Sequence, residues 1–128
     1  IAGEAGVASR VHFMGRWPHE DLAHIYGAAD AMILASAREG CPGVVLESQA
    51  CGTPVIATNV GGVSEIVGPG TGVIIKNRTV KAIADGISQI LNNPPDRIQV
   101  RVWAERFSWD ETADKQINLF TKILAKSR

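Results

Sequence analysis

From Val11 onward, short and almost unbroken apolar runs alternate with stretches of helical periodicity, and the alternation repeats along most of the chain. Buried strands with helices laid over them produce this pattern, so it predicts an α/β fold with a Rossmann-like parallel sheet rather than a bundle or a sandwich. Residues 11–14 read as a first strand, 20–29 as a helix, and 31–35 as a second strand whose lack of polar residues predicts burial on both faces. Residues 43–51 read as the next helix: Pro42 pre-sets the backbone at its start, and Gly52 supplies a left-handed stop before Pro54. Strands at 55–58 and 73–75 complete a sheet of about four strands flanked by helices. Between those two strands lie the pair Gly61-Gly62, a short helix at 64–67 and the turn Gly68-Pro69-Gly70.

The remainder reads as helical. Val80, Ile83, Ala84, Ile87, Ile90 and Leu91 recur at helical spacing up to the stop Asn92-Asn93-Pro94, which predicts a helix packed on the sheet. Ser108 and Glu111 have capping-box spacing, and Ala113, Ile117, Phe120 and Leu124 form one stripe behind them, so the closing helix is amphipathic. Trp103, Phe107 and Trp109 read as core or interdomain packing. A chain of 128 residues, 45% hydrophobic, buries one core and not two. Its opening, Ile1 to Val7, reads as the end of a helix entered partway, which predicts that residues 1–128 are part of a longer protein.

Thirteen basic residues balance thirteen acidic ones, so no global field draws the chain to nucleic acid, and phosphate recognition has to be local. Cys41 and Cys51 form neither a CxxC pair nor part of a zinc pattern, which fits a reduced, cytoplasmic setting. There is no apolar run of about 18 residues and no signal segment.

In open parallel sheets, ligands bind beyond the carboxyl ends of the strands, where loops meet helix N-termini. The loop Ser36-Ala37-Arg38-Glu39-Gly40-Cys41-Pro42-Gly43 enters a helix whose first amides have no internal partner, and Gly40 and Gly43 leave room for a phosphate to approach the main chain. Glu39 and Glu47 bracket this turn with seven residues between them. Carboxylates repel a diphosphate, so two facing the ligand would accept hydrogen bonds from sugar hydroxyls. The plainer reading is that Glu47 complements the helix dipole and Glu39 is a solvated loop residue.

The stretch from Glu39 through Glu47, continuing Ser48-Gln49-Ala50-Cys51-Gly52-Thr53-Pro54-Val55-Ile56-Ala57-Thr58, resembles the group 1, family four retaining glycosyltransferases of GT-B fold, whose hallmark is this glutamate pair. Val11-His12-Phe13-Met14-Gly15, then Leu22, Tyr26, Ala29-Asp30 and Ser36, and later Gly61-Gly62 with Glu65, follow in the same family's order. The resemblance implies part of a C-terminal GT-B domain with a helical C-terminus. It implies that Glu39 contacts hydroxyls of the transferred sugar as the catalytic-site residue, that Glu47 binds the ribose, and that amides around Gly43 and Val44 meet the distal phosphate. Gly40, Cys41 and Pro42 complete the donor loop, and the base lies against the backbone near Gly15 and Arg16. Trp17 reads as packing rather than as a stacking partner for the base.

The resemblance also implies a nucleotide-diphosphate sugar as donor substrate, no separate cofactor, and an N-terminal acceptor-binding domain that this sequence lacks. The family's phosphate-binding Arg and Lys would precede Ile1, so weak donor binding and no turnover are expected of this chain alone. Arg38 is the only cation directly beside the loop and reads as solvated. The family's usual setting is cell-surface polysaccharide or glycolipid synthesis, with the intact enzyme peripheral to the inner face of the membrane. No DxD pair occurs, and His12, His19 and His24 lack ligand spacing, so no metal is expected and the histidines read as surface residues. Cys41 stands near a helix start and reads as inert packing. Two alternatives remain at this point: a non-catalytic nucleotide-binding or interaction domain, and a nucleotide-sugar epimerase of GT-B architecture. The first is not a dinucleotide or P-loop fold, because neither GxGxxG nor GxxxxGK[ST] is present.

Overall fold

A computed structural model describes residues 1–126. Strands β1 (Met32–Leu34), β2 (Val55–Thr58) and β3 (Gly72–Ile75) form a parallel sheet in the order β1-β2-β3, with Met32 opposite Val55 and Val55 opposite Gly72. Parallel neighbours need crossovers, and helices α1 (Leu22–Ala28), α2 (Gly43–Ala50), α3 (Val63–Ile66), α4 (Val80–Asn92), α5 (Arg97–Ala104) and α6 (Trp109–Lys126) surround and extend the sheet.

β2 is the hinge of the core because its side chains alternate between the two faces. Val55 and Ala57 join Val45, Val63, Ile66 and Val67 on one face, while Ile56 joins Ile75 and Ile90 on the other, with Ile83 and Ile87 packed against them. The second cluster is the predicted seat of the helix after Thr79, whose side chain caps α4 by accepting from the Ala82 amide at 3.2 Å. Ser108 likewise accepts from the Glu111 amide at 3.2 Å and starts α6. Between them, Asp96 caps α5 at the Ile98 amide, 2.8 Å away. α5 is anchored by Trp103, whose Nε1 donates to the Ile66 carbonyl at 2.9 Å while its ring lies on Gly68. α6 buries none of its residues: Ile117, Phe120 and Leu124 of the expected stripe are all exposed.

Three expectations are corrected. Residues 11–14 are not a strand, and the sheet has three strands rather than about four. A strand exists by pairing its amides and carbonyls, and no neighbour among the described residues offers this segment an edge, which leaves Phe13 93% exposed. β1 is not buried on both faces either: it pairs only with β2, and Ile33 is 44% exposed. The opening residues end as a helix does, with the Ala5 amide donating to the Ile1 carbonyl at 2.9 Å, Gly6 to Gly3 and Val7 to Ala2 at 3.0 Å each, and Gly6 at φ +67°, before a 3-10 turn at Ala8–Arg10. Among the described residues, no helix is long and apolar enough to cross a membrane.

Candidate functional site

Helix α2 decides which way the second glutamate of the pair points. Val45, Ser48 and Gln49 are fully buried, so the helix presents its opposite side, with Gly43 and Glu47, outward. Its roll is fixed by polar bonds as well as packing: the Ser48 hydroxyl donates to the Thr53 carbonyl at 3.1 Å, and Gln49 Nε2 donates to Thr71 Oγ1 at 2.8 Å. No side chain caps the start of α2, where Pro42 occupies the capping position, so the amides of Gly43 and Val44 open the helix without an internal partner.

The loop ahead of α2 is braced from the end of β2. Thr58 Oγ1 donates to the Ser36 carbonyl at 2.6 Å, and the Gly62 amide donates to the Gly40 carbonyl at 2.7 Å. Gly61 has φ +54°, and a Cβ there would overlap the Glu39 carbonyl and stand 2.6 Å from that of Gly40. Only glycine tolerates both the dihedral and the approach. The sequence placed Gly61-Gly62 in order without a role; its role is to back the glutamate loop.

Glu47 is about one third exposed, with a side-chain exposure of 36%. Its carboxylate folds toward the first turn of α2, Oε1 standing 3.8 Å from where a Cβ of Gly43 would be. His19 Nε2 lies 3.5 Å from Oε1, and the Tyr26 hydroxyl donates to Oε2 at 3.4 Å. Burial raises the Tyr26 hydroxyl above its ordinary pKa, helped by the negative charge of Glu47 and by the hydrogen bond to it. Beside Glu47 opens a cleft of about 640 Å³, lined from the α2 side by Cys41, Gly43 and Glu47 and from the other by Phe107, Ser108 and Trp109. Its cations are already engaged: Arg106 stacks 4.4 Å from the Trp103 ring centre, and Lys115 pairs with Glu111 at 2.7 Å.

The structure brings Cys41, Gly43 and Glu47 together on the cleft. Cys41 is exposed rather than packed. Pro42 is buried beneath the turn, Val44 is partly exposed on the first turn of α2, and Glu39 and Gly40 form the braced loop, Glu39 half-buried. Gly15 and Arg16 are exposed in an irregular segment that does not line the cleft, though the same segment leads to His19 beside Glu47. Trp17 donates to the Met14 carbonyl at 2.8 Å within that segment. Arg38 is exposed. Sequence reasoning gave no site role to three neighbours of the site. His19 was read only as a surface residue and Tyr26 only as a family position, while Trp109, read as core or interdomain packing, is 86% exposed at the cleft. Among the described residues, no three His, Cys, Asp or Glu side chains are grouped to hold a metal ion.

A three-stranded parallel sheet, a helix starting behind a doubly braced glycine loop, and a glutamate folded over that start make up the candidate site. Residues 1–116 match glycosyl transferases group 1, and the chain belongs to that family. It is 36% identical over 128 residues to a D-inositol 3-phosphate glycosyltransferase of Corynebacterium urealyticum, an alignment covering 96% of this chain and 30% of the relative. Among solved structures it is similar to a sucrose-phosphate synthase from Thermosynechococcus elongatus, with TM-score 0.85 and 33% identity over 98% of this chain and 33% of that one. The fold is also that of Anabaena HepE, solved in complex with UDP, with TM-score 0.80 and 24% identity over 94% of this chain and 34% of that one. The chain thus spans about a third of the length of these relatives.

Proposed function

We propose that this chain is part of the donor-binding domain of a retaining glycosyltransferase, and that it grips a nucleotide-diphosphate sugar at the start of α2. The carrying observation is the placement of the Glu47 carboxylate beside the uncapped first turn of α2, at the rim of the cleft. In this reading the diphosphate meets the amides of Gly43 and Val44, where aligned peptide dipoles favour an anion. Glu47, whose carboxylate lies beside the same turn, accepts hydrogen bonds from the ribose, and Glu39 accepts them from hydroxyls of the transferred sugar. Gly40, Cys41 and Pro42 shape the loop, and the base lies toward Gly15 and Arg16.

Transfer replaces the bond between the sugar's anomeric carbon and the diphosphate with one to an acceptor hydroxyl, whose proton passes to the departing diphosphate, so negative charge grows on the leaving oxygens. The start of α2 is preorganised to offset it, and further cations belong to parts of the enzyme outside this sequence. The acceptor is held by an N-terminal domain, on the cytoplasmic side and peripheral to the membrane. The donor is a substrate, and the reading calls for no cofactor and no metal.

Saturation-transfer NMR on this chain with UDP, GDP, ADP and NAD tests the reading. Ribose protons of a nucleoside diphosphate should receive saturation, and Glu47→Ala should abolish it. Binding of NAD that survives Glu47→Ala, or no diphosphate binding at all, would remove the donor-site reading in favour of a different nucleotide-binding or interaction domain.

A further inference from the structure

The end of α1 is tied down far more firmly than a surface helix of 7 residues requires. The Tyr26 carbonyl accepts from Thr53 Oγ1 at 2.6 Å and from the Ala29 amide at 3.0 Å. The guanidinium of Arg97, reaching across from α5, donates to the Gly27 and Ala29 carbonyls at 2.8 Å each and to Thr53 Oγ1 at 2.9 Å. These bonds satisfy the carbonyls that a helix end leaves open, and they lock α1 to the turn between α2 and β2. The side chain so positioned is Tyr26, half-buried, with its hydroxyl on Glu47 Oε2.

We propose that Tyr26 is a positioning residue: backed by the Thr53–Arg97 staple, its hydroxyl holds the Glu47 carboxylate in the orientation that leaves the remaining lone pairs free for a nucleotide's ribose. The inference rests on Glu47 as the ribose acceptor. A carboxylate has room for about four hydrogen bonds, so one phenol can orient it without using it up. A long glutamate side chain held before the ligand arrives loses less rotamer entropy on binding. His19 approaches the other oxygen from a largely exposed position and does not share this backing.

The test compares UDP with 2′,3′-dideoxy-UDP, and measures the phenolate titration of Tyr26, the chain's one tyrosine. Wild type should prefer UDP, and Glu47→Ala should lose that preference. Tyr26→Phe, which keeps the ring, should reduce it by roughly two- to tenfold, the size of one hydrogen bond, with no further loss when both substitutions are combined. Without ligand, Glu47→Gln should lower the Tyr26 titration midpoint. A preference that persists in Glu47→Ala overturns the donor reading. A preference lost in Glu47→Ala but unchanged in Tyr26→Phe overturns the positioning role alone, and so does a Tyr26 midpoint indifferent to Glu47→Gln.

Discussion

Gly61 lies directly against the carbonyl of Glu39, so the loop carrying the first glutamate is supported by the turn after the neighbouring strand. A Cβ at Gly61 meets two backbone carbonyls that have no rotamer with which to escape. Gly61→Ala should therefore cost about 3 kcal/mol, combining the positive dihedral with displacement of the loop. Urea denaturation measures it, and a loss below about 0.5 kcal/mol would mean the two turns are not interlocked.

Arg97 closes three hydrogen bonds with one planar group. Arg97→Ala should destabilise the fold by about 1–3 kcal/mol after discounting for the exposure of the side chain. Arg97→Lys should recover little, because an ammonium cannot reproduce the fork that spans two carbonyls and a hydroxyl. Equal stability of the lysine variant and wild type in thermal denaturation would contradict this account.

The raised pKa of Tyr26 has a definite sign for stability. Its folded value lies above the ordinary 10.0, first because of burial and then because of Glu47, so the folded state holds the phenol proton more tightly than the unfolded chain does. That contribution is fully present below the ordinary value and disappears as pH rises through the folded midpoint. Wild type should lose stability over that alkaline window relative to Tyr26→Phe. Parallel denaturation curves for the two across the window would contradict the shift.

Trp103 and Trp109 should behave oppositely although only five residues lie between them. Trp103 bonds to Ile66 and covers Gly68, so Trp103→Ala should cost about 3–5 kcal/mol. Trp109 is 86% exposed, and Trp109→Ser should change stability by less than about 0.5 kcal/mol. Paired chemical denaturation curves decide the matter.

What the sequence made legible was local or periodic. Thr79 and Ser108 announce their helices because a cap acts within three residues, and the α4 stripe finds its face of the sheet because helical spacing already defines it. Residues 11–14 misled because strand character is completed by a neighbour, which apolar spacing does not report. Ile33 misled for the same reason, since a run of apolar residues looks alike at the edge of a sheet and at its centre. At the site, the start of α2 and Glu47 followed from Pro42, Gly43 and the resemblance. The contacts around Glu47 and α1 did not, because Tyr26 is 21 residues away and Arg97 reaches α1 across 68 and 70.

Those last separations set an order of events during synthesis. Glu47 leaves the ribosome before the clasp that steadies its neighbour, which is complete only with Arg97, and the anchor of α5 follows later still with Trp103. A nascent chain halted at residue 95 would carry every residue of the glutamate loop and still lack the Arg97 bonds that hold the end of α1. Closure of those bonds is a long-range step that must await residues well beyond the sheet.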